Sequence, residues 1–354
     1  MATSFRAFEG RNLSGVFACP DCQIALESSP NILICPSCHR SWPLVDGIPH
    51  FVTDFPYWGE IPREQMQEIN RRAAEENWKK VLVESPDATV RRAAAMILDL
   101  DRANWHFLAG LPADCDVLDL GAGTGTTSHA LARHYRQITA LEPVLERVQF
   151  MRHRFAQENI GNVRIVRSSL WTLPFLPESF DLVAMNGVLE WVPVGREGDP
   201  ETVQIEALKN AFRLLRPGGY LYVGIENRFA SGYFAGYNDP HAELPWVTIL
   251  PRRMANWYAR QRGRDGYRNY LYSSRGYHRL LRKAGFTRLK TYLAIPSYND
   301  PRFLIPLEGD EYSNYARKLS SARQRLPLRL LRSLFLRAGM LKHFEYAFAI
   351  LAGK

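Results

Sequence analysis

The sequence predicts an α/β fold: an open, largely parallel sheet wound with helices, preceded by a small four-cysteine module. Three observations carry that expectation. Val117-Leu118-Asp119-Leu120 reads as a short buried strand running into Gly121-Ala122-Gly123-Thr124-Gly125 and then a helical stretch, Thr126 to Ala132. From there to Glu226, short apolar runs alternate with helical segments, as successive βα units require. Four of the five cysteines fall in the first forty residues as two Cys-x-x-Cys pairs.

Bulk properties bound the reading. A chain of 354 residues has room for a full α/β domain with additions, and 46% apolar with 23% charged residues is ordinary for a soluble globular protein. No apolar run approaches a membrane span. The N-terminus lacks the basic-then-apolar layout of a secretory signal, so a cytoplasmic setting is expected. The net charge of +9 and a pI near 9.4 favour polyanionic company: nucleic acid, an anionic glycan or an acidic membrane surface.

Cys19, Cys22, Cys35 and Cys38 supply four thiolates, the set a closed tetrahedral zinc site needs. Disulfides are the alternative, and a cytoplasmic setting argues against them. With four protein ligands the metal has no open position, so its expected role is structural. His39 adjoins Cys38 and reads as a solvated neighbour. The text from Cys38 to Val52, Cys-His-Arg-Ser-Trp-Pro-Leu-Val-Asp-Gly-Ile-Pro-His-Phe-Val, is similar to the zinc ribbons related to the activator subunit of tRNA and rRNA methyltransferases. That resemblance covers about residues 13 to 53.

A linker, Asp54 to Gly59, leads to two expected helices. One runs from Pro62 to about Leu82. The other, from Pro86 to Ala109, sets Val90, Ala94, Ile97 and Leu98 at helical spacing. Trp78, Trp105 and His106 read as packing residues before they read as lining of the site.

The glycine loop decides the class of ligand. A dinucleotide site asks for Gly-x-Gly-x-x-Gly, but Thr126 stands where the third glycine belongs. A phosphate-cradling loop needs Gly-Lys-Ser/Thr, and no lysine is present. Instead Asp119 precedes the first glycine by two, and Ile138 to Leu141 forms a second strand ending at Glu142 and Pro143, an acid placed to hold ribose hydroxyls. This arrangement resembles the class I S-adenosylmethionine-dependent methyltransferases. The resemblance implies a Rossmann-like seven-stranded sheet. It also implies a cofactor site built from Asp119, Gly121, Ala122, Gly123, Gly125, Glu142, Pro143, Ser169, Leu170, Asn186 and Gly187. In that family the position of Ser169 usually holds an aspartate that meets the adenine amino group.

Later landmarks follow in order. Val144 to Asn159 is a helix, Val163 to Val166 a third strand, and Ser179 to Met185 a fourth, ending at Asn186. Ligands of open parallel sheets bind beyond the carboxyl ends of the strands, so Asn186 is expected to face methyl donor and acceptor. Glu190, one turn on, reads as a helix salt bridge or an acceptor group. An amphipathic helix from Glu206, closed by Arg216-Pro217-Gly218-Gly219, precedes a fifth strand that ends at Glu226-Asn227-Arg228. Glycines, prolines and aromatics from Phe229 to Trp257 suggest an acceptor-site insertion, with His241, between Asp239 and Glu243, as its neutral-pH base or as a surface histidine capping the loop. Glu226-Asn227-Arg228-Phe229, Asp239-Pro240-His241, Tyr272-Ser273 and Pro296-Ser297-Tyr298 resemble segments of bacterial methyltransferases of cell-surface glycans and secondary metabolites. Ser274 to Ala284 is a helix, Thr287 to Ala294 a sixth strand, and Tyr346 to Leu351 the antiparallel last strand. Between them Tyr312 to Lys342 is helical, interrupted around Pro327, and sets Arg325, Arg329 and Arg332 on one face and Leu328, Leu331 and Phe335 on another; it reads as a solvated face covering the sheet, with an anionic membrane or a polyanion as the alternative.

The expected organisation is a zinc ribbon (1–54), a helical lid or linker (55–110), the cofactor-binding core (111–228), an acceptor-site insertion (229–275) and the C-terminal part of the core (276–354). The expected activity is methyl transfer from S-adenosylmethionine to an oxygen of a small-molecule or glycan acceptor, with His241 and Asn186 as catalytic groups. An rRNA or tRNA methyltransferase, and a non-catalytic partner protein, stay open as alternatives. The sequence says nothing of oligomeric state.

Overall fold

The computed structural model describes residues 16–318 and 339–354. The chain forms two compact units: one built of residues up to Met185 with Arg213–Tyr220, the other of Asn186–Phe212 with residues from Leu221 onward.

The first unit opens with a four-stranded antiparallel sheet, β1 (Glu27–Ser29), β2 (Ile32–Ile34), β3 (Ser41–Val45) and β4 (Ile48–Pro49), paired in sequence order. Phe17, Leu33 and Phe51 fill its small interior, with the Phe17 ring 5.6 Å from Phe51 and 6.0 Å from Phe175. Backbone bonds join this module to the rest of the unit. The Ala18 N–H donates to the Pro174 carbonyl at 2.9 Å, and Phe51 N–H donates to Arg167 at 2.8 Å.

Helices α1 (Arg63–Ala73), α2 (Trp78–Val83) and α3 (Ala88–Leu98) follow, then a 3₁₀ segment, Leu100–Ala109. The two long helices expected here are each broken in two. Side chains that bond backbone N–H groups cause the breaks: Asn77 accepts from Lys79 and Lys80, and Asp99 accepts from Asp101. Pro62 stands just outside α1 as its N-cap. The helices bury Ile69, Trp78, Leu82, Val90 and Ile97 in one cluster with Phe150. Trp105 and His106 are buried too, as packing.

Next come β5 (Asp116–Leu120), α4 (Thr126–Leu131), β6 (Gln137–Glu142), α5 (Leu145–Gln157), β7 (Val163–Arg167) and β8 (Phe180–Asn186). The strands lie in the order β8-β5-β6-β7 and all run parallel. The order reverses at β5, so the glycine loop leaves the sheet at the switch point where open α/β sheets take ligands. Phe150 and Phe155 on α5 are fully buried.

The chain passes between units through α6 (Pro200–Leu214) and β9 (Leu215–Glu226). The second unit continues with α7 (Ser231–Phe234), α8 (Arg252–Gln261), α9 (Ser274–Ala284), β10 (Arg288–Ser297), β11 (Asp300–Pro306), α10 (Glu311–Lys318) and β12 (Ala347–Gly353). Strand order is β11-β10-β12-β9, and β10 is antiparallel to both neighbours. β11 is a strand beyond the seven expected. Ser273 caps α9 and Gly285 closes it in the left-handed conformation. The basic face of Arg325, Arg329 and Arg332 lies outside the described residues. No helix among the described residues is long and apolar enough to cross a membrane.

Candidate functional site

In the first unit, the loop after β5 turns on three glycines with positive φ: Gly121 at 70°, Gly123 at 58° and Gly125 at 78°. Gly121 and Ala122 donate to the Leu141 carbonyl at 2.9 and 3.0 Å, which pins the loop to the end of β6. Glu142 closes it: one carboxylate oxygen takes the Gly123 N–H at 2.8 Å, the other the Val144 N–H at 3.0 Å. Burial raises the Glu142 pKa, against the opposing pull of Arg147 and these two amides. Asp119 is also buried and accepts from the Ser128 hydroxyl at 2.6 Å; burial lifts its pKa to about 6.

The glycines differ in what surrounds them. A Cβ on Gly125 would stand 2.7 Å from Phe155 Cζ and 2.8 Å from Met151 Cγ, so this glycine serves packing. A Cβ on Gly123 would meet only Arg147 Nη1, at 3.8 Å. The open face of the loop is therefore at Gly123, with Glu142 directly beneath it. Bare backbone beside a buried carboxylate fits the amino-acid and ribose parts of S-adenosylmethionine.

Two residues beside this loop escaped the sequence reading. Arg147 lies over the Trp58 ring at 5.2 Å and pairs with Glu60 at 2.6 Å. Arg154, fully buried, donates to the Thr124 carbonyl at 3.2 Å and Thr126 Oγ1 at 2.9 Å, and lies 4.6 Å from the Trp78 ring centre. The Pro143 carbonyl accepts from Arg167 Nε at 3.3 Å. Ser169 is buried in the turn after β7, where its hydroxyl takes the Trp171 N–H at 3.3 Å; Leu170 beside it is half-buried.

The four cysteines converge. All are free thiols, and their sulfurs lie within 4.8 Å of one another. The Cys22 and Cys38 amides point at the Cys19 and Cys35 sulfurs at 3.3 and 3.5 Å, the turn geometry of paired metal knuckles. His39 is exposed and outside this group. The donor set fits zinc.

The second unit holds a buried polar cluster around His241. Its Nε2 faces Glu190 Oε1 at 3.6 Å and Glu226 Oε1 at 3.7 Å, and its Nδ1 faces Asp239 Oδ1 at 3.6 Å. Glu190 is not on a helix and makes no helix salt bridge; it is fully buried, and neither carboxylate oxygen has a hydrogen-bond partner. Its backbone is fixed by Asn269 Nδ2, which donates to the Glu190 carbonyl at 3.2 Å. Glu226 receives the Tyr298 hydroxyl at 3.1 Å on Oε1, and Oε2 has no partner. Asp239 is held by the His241 and Ala242 amides at 2.8 and 2.6 Å and by the Tyr267 hydroxyl at 3.3 Å.

His241, the base expected in the acceptor-site insertion, is buried among these carboxylates. Burial alone lowers the pKa of an imidazole, but Asp239, Glu190 and Glu226 outweigh it and lift His241 to about 11. Glu226 moves the other way from a surface carboxylate, up to about 8, through burial and the neighbouring Glu190.

Three of the segments singled out in the sequence meet here, contributing Glu226, Asp239 with His241, and Tyr298. The next two residues after Glu226 brace it: Asn227 Nδ2 donates to the His343 and Glu345 carbonyls at 2.8 Å, and Arg228 Nε to Thr248 at 2.7 Å. Gly187 leaves space for the Tyr298 hydroxyl, which would stand 2.9 Å from a Cβ there. Asn186 Oδ1 accepts from the Tyr222 hydroxyl at 3.4 Å while its Nδ2 has no partner.

Parts of this chain are similar to known proteins. Residues 118–223 match the family model described as a methyltransferase domain. A ubiquinone biosynthesis O-methyltransferase from Xylella fastidiosa is 32% identical over 117 residues, 33% of this chain and 44% of that protein. One from Coxiella burnetii is 28% identical over 136 residues, 38% and 53% of the two chains. The chain thus spans about half the length of the curated relatives it matches. Among solved structures, a Haemonchus contortus phosphoethanolamine N-methyltransferase in complex with S-adenosylhomocysteine aligns over 72% of this chain and 52% of its own, at 15% identity and a TM-score of 0.42. Residues 118–223 are a methyltransferase domain of the class I, S-adenosylmethionine-dependent kind.

Proposed function

We propose that the chain, with this domain as its premise, transfers a methyl group from S-adenosylmethionine to an oxygen of a small molecule, a glycan or other biosynthetic precursor. The observation that carries the reading is the cradle at Gly123, where open backbone lies against the buried Glu142 carboxylate. When bound, the cofactor supplies an activated methyl group on a sulfonium. Asp119, Gly121, Ala122, Gly123 and Gly125 shape the loop that would hold it. Glu142 and Pro143 line its ribose side, and Ser169 and Leu170 its adenine side. Alignment of donor and acceptor supplies much of the acceleration in such a displacement.

Oxygen as acceptor is favoured by the names of the curated relatives and by the second unit. Methyl transfer to a hydroxyl requires that the oxygen lose its proton, and we assign that loss to the Glu190–Glu226–His241 cluster of the second unit. Asn186 and Gly187, where β8 ends, are the residues we assign to the approach of cofactor and acceptor, with the unpaired Asn186 Nδ2 as an orienting donor. Cys19, Cys22, Cys35 and Cys38 would hold a structural zinc and take no part in the chemistry.

The test is calorimetric titration of S-adenosylmethionine into the purified chain, followed by transfer of labelled methyl groups to a panel of sugars, phenols and RNA. Micromolar cofactor binding with methyl transfer to a hydroxyl compound is the expected result. Labelling of RNA alone would replace the small-molecule reading, and absence of cofactor binding would end the enzyme reading.

A further inference from the structure

The cluster in the second unit has features that a proton-handling histidine does not need. Three donor atoms, one each from Glu190, Glu226 and His241, lie within 4.8 Å of one another, and all three side chains are buried. Their separations of 3.6 and 3.7 Å exceed a hydrogen bond. They are close to the spacing of roughly 3.0–3.5 Å between neighbouring ligands that each stand about 2.1 Å from one ion. Both oxygens of Glu190 and Oε2 of Glu226 lack partners, although buried carboxylate oxygens are seldom left so.

The surroundings have the second layer that metal sites carry. His241 turns Nε2 toward the two glutamates and Nδ1 toward Asp239 at 3.6 Å, the side from which a carboxylate can orient an imidazole ligand, though no hydrogen bond joins the two. Asp239 is itself locked by two amides and the Tyr267 hydroxyl, and Tyr298 orients Glu226. Trp191 packs edge-on to the His241 ring, 4.8 Å between centres.

We propose that Glu190, Glu226 and His241 bind a divalent cation of the Mg²⁺, Mn²⁺ or Zn²⁺ class, separate from the four-cysteine site. Two carboxylates neutralise its charge, and three protein ligands leave positions open for an acceptor hydroxyl. On the methyltransferase reading, on which this role rests, the cation acidifies that hydroxyl and its proton passes to solvent. The oxygen's electron pair then forms the new C–O bond as the C–S bond breaks, its pair remaining on sulfur.

Mn²⁺ separates the two sites, because it prefers oxygen and nitrogen ligands to thiolates. The full chain, purified with zinc in its cysteine module, is titrated with Mn²⁺ while the free ion is read by electron paramagnetic resonance. One Mn²⁺ per chain is expected, weakened at least tenfold by Glu190→Gln and by Glu226→Gln and unaltered by Cys22→Ser. Pulsed resonance on the wild type supplies a test that needs no variant: the bound ion should show coupling to one histidine nitrogen. No saturable Mn²⁺ binding, no nitrogen coupling, or binding lost with Cys22→Ser instead, overturns the proposal. Cofactor calorimetry on the same samples keeps the two readings apart. Mn²⁺ binding without S-adenosylmethionine binding upholds the metal site and sinks the enzyme, whereas cofactor binding without Mn²⁺ does the reverse.

Discussion

Alanine at Gly125 and alanine at Gly123 should damage the same loop in different ways. Both glycines have positive φ, where a side chain costs about 1–2 kcal/mol. At Gly125 the added methyl also falls 2.7 and 2.8 Å from Phe155 and Met151, two fully buried side chains. Overpacking of that kind costs about 1–3 kcal/mol more, for a total of about 2–5 kcal/mol. With about 2–4 °C of Tm per kcal/mol for a unit of this size, Gly125→Ala should melt about 4–20 °C lower. At Gly123 the methyl meets only Arg147 at 3.8 Å, so the stability loss stops at about 1–2 kcal/mol. It projects, however, into the open face of the loop, and S-adenosylmethionine affinity should fall by at least about tenfold, or 1.4 kcal/mol. Thermal denaturation by circular dichroism and cofactor calorimetry on the two variants read both effects. If Gly123→Ala binds cofactor as the wild type does, the loop is not the cradle. If Gly125→Ala melts no lower than Gly123→Ala, the packing account is wrong.

Other outcomes follow from the same geometry. Burial holds the Asp119 pKa near 6, above its unfolded value, so the folded state binds the proton more tightly and loses stability as pH rises from about 4 to above 6. Asp119→Asn should therefore match the wild type at pH 4 and exceed it by on the order of 2–3 kcal/mol at pH 8, as measured by urea unfolding at the two pH values. Arg154→Met removes the donors to the Thr124 carbonyl and Thr126; a loss of roughly 1–3 kcal/mol is expected, and an unchanged Tm would mean those bonds are idle. Titration of the thiols with a mercurial should release one zinc per chain to a colorimetric indicator, and a chain that holds none with all four cysteines reduced would refute the structural zinc.

What could be read in advance was what is written locally. β5, the glycine loop, Glu142 and β8 each follow from a few adjacent residues, and the knuckles from Cys-x-x-Cys spacing. The helix breaks were less legible because Asn77 and Asp99 sit inside otherwise helical text, and only their capping bonds reveal the interruption. β11 was missed because Phe303-Leu304-Ile305 is short and flanked by prolines, and its strand state depends on pairing with β10. The His241 cluster was half visible. Its segments can be picked out one by one, but that Glu190 and Glu226 converge on one imidazole, with Tyr298 bonded to Glu226, is a tertiary fact more than a hundred residues wide. Arg147 and Trp58 gave no pattern at all, since their pairing joins a linker to a helix far along the chain.

The joint between the cysteine module and β7 has a bearing on how the protein survives in a cell. β7 ends the row of strands on its side, and the module meets its last residue through the His50–Arg167 bridge and the Phe51 amide. An unprotected strand at the rim of a sheet invites pairing with other chains. The module is translated before the sheet it borders, so it can be folded and waiting when β7 emerges. If the four cysteines hold the proposed zinc, metal scarcity would register first as clumped protein and a poor soluble yield.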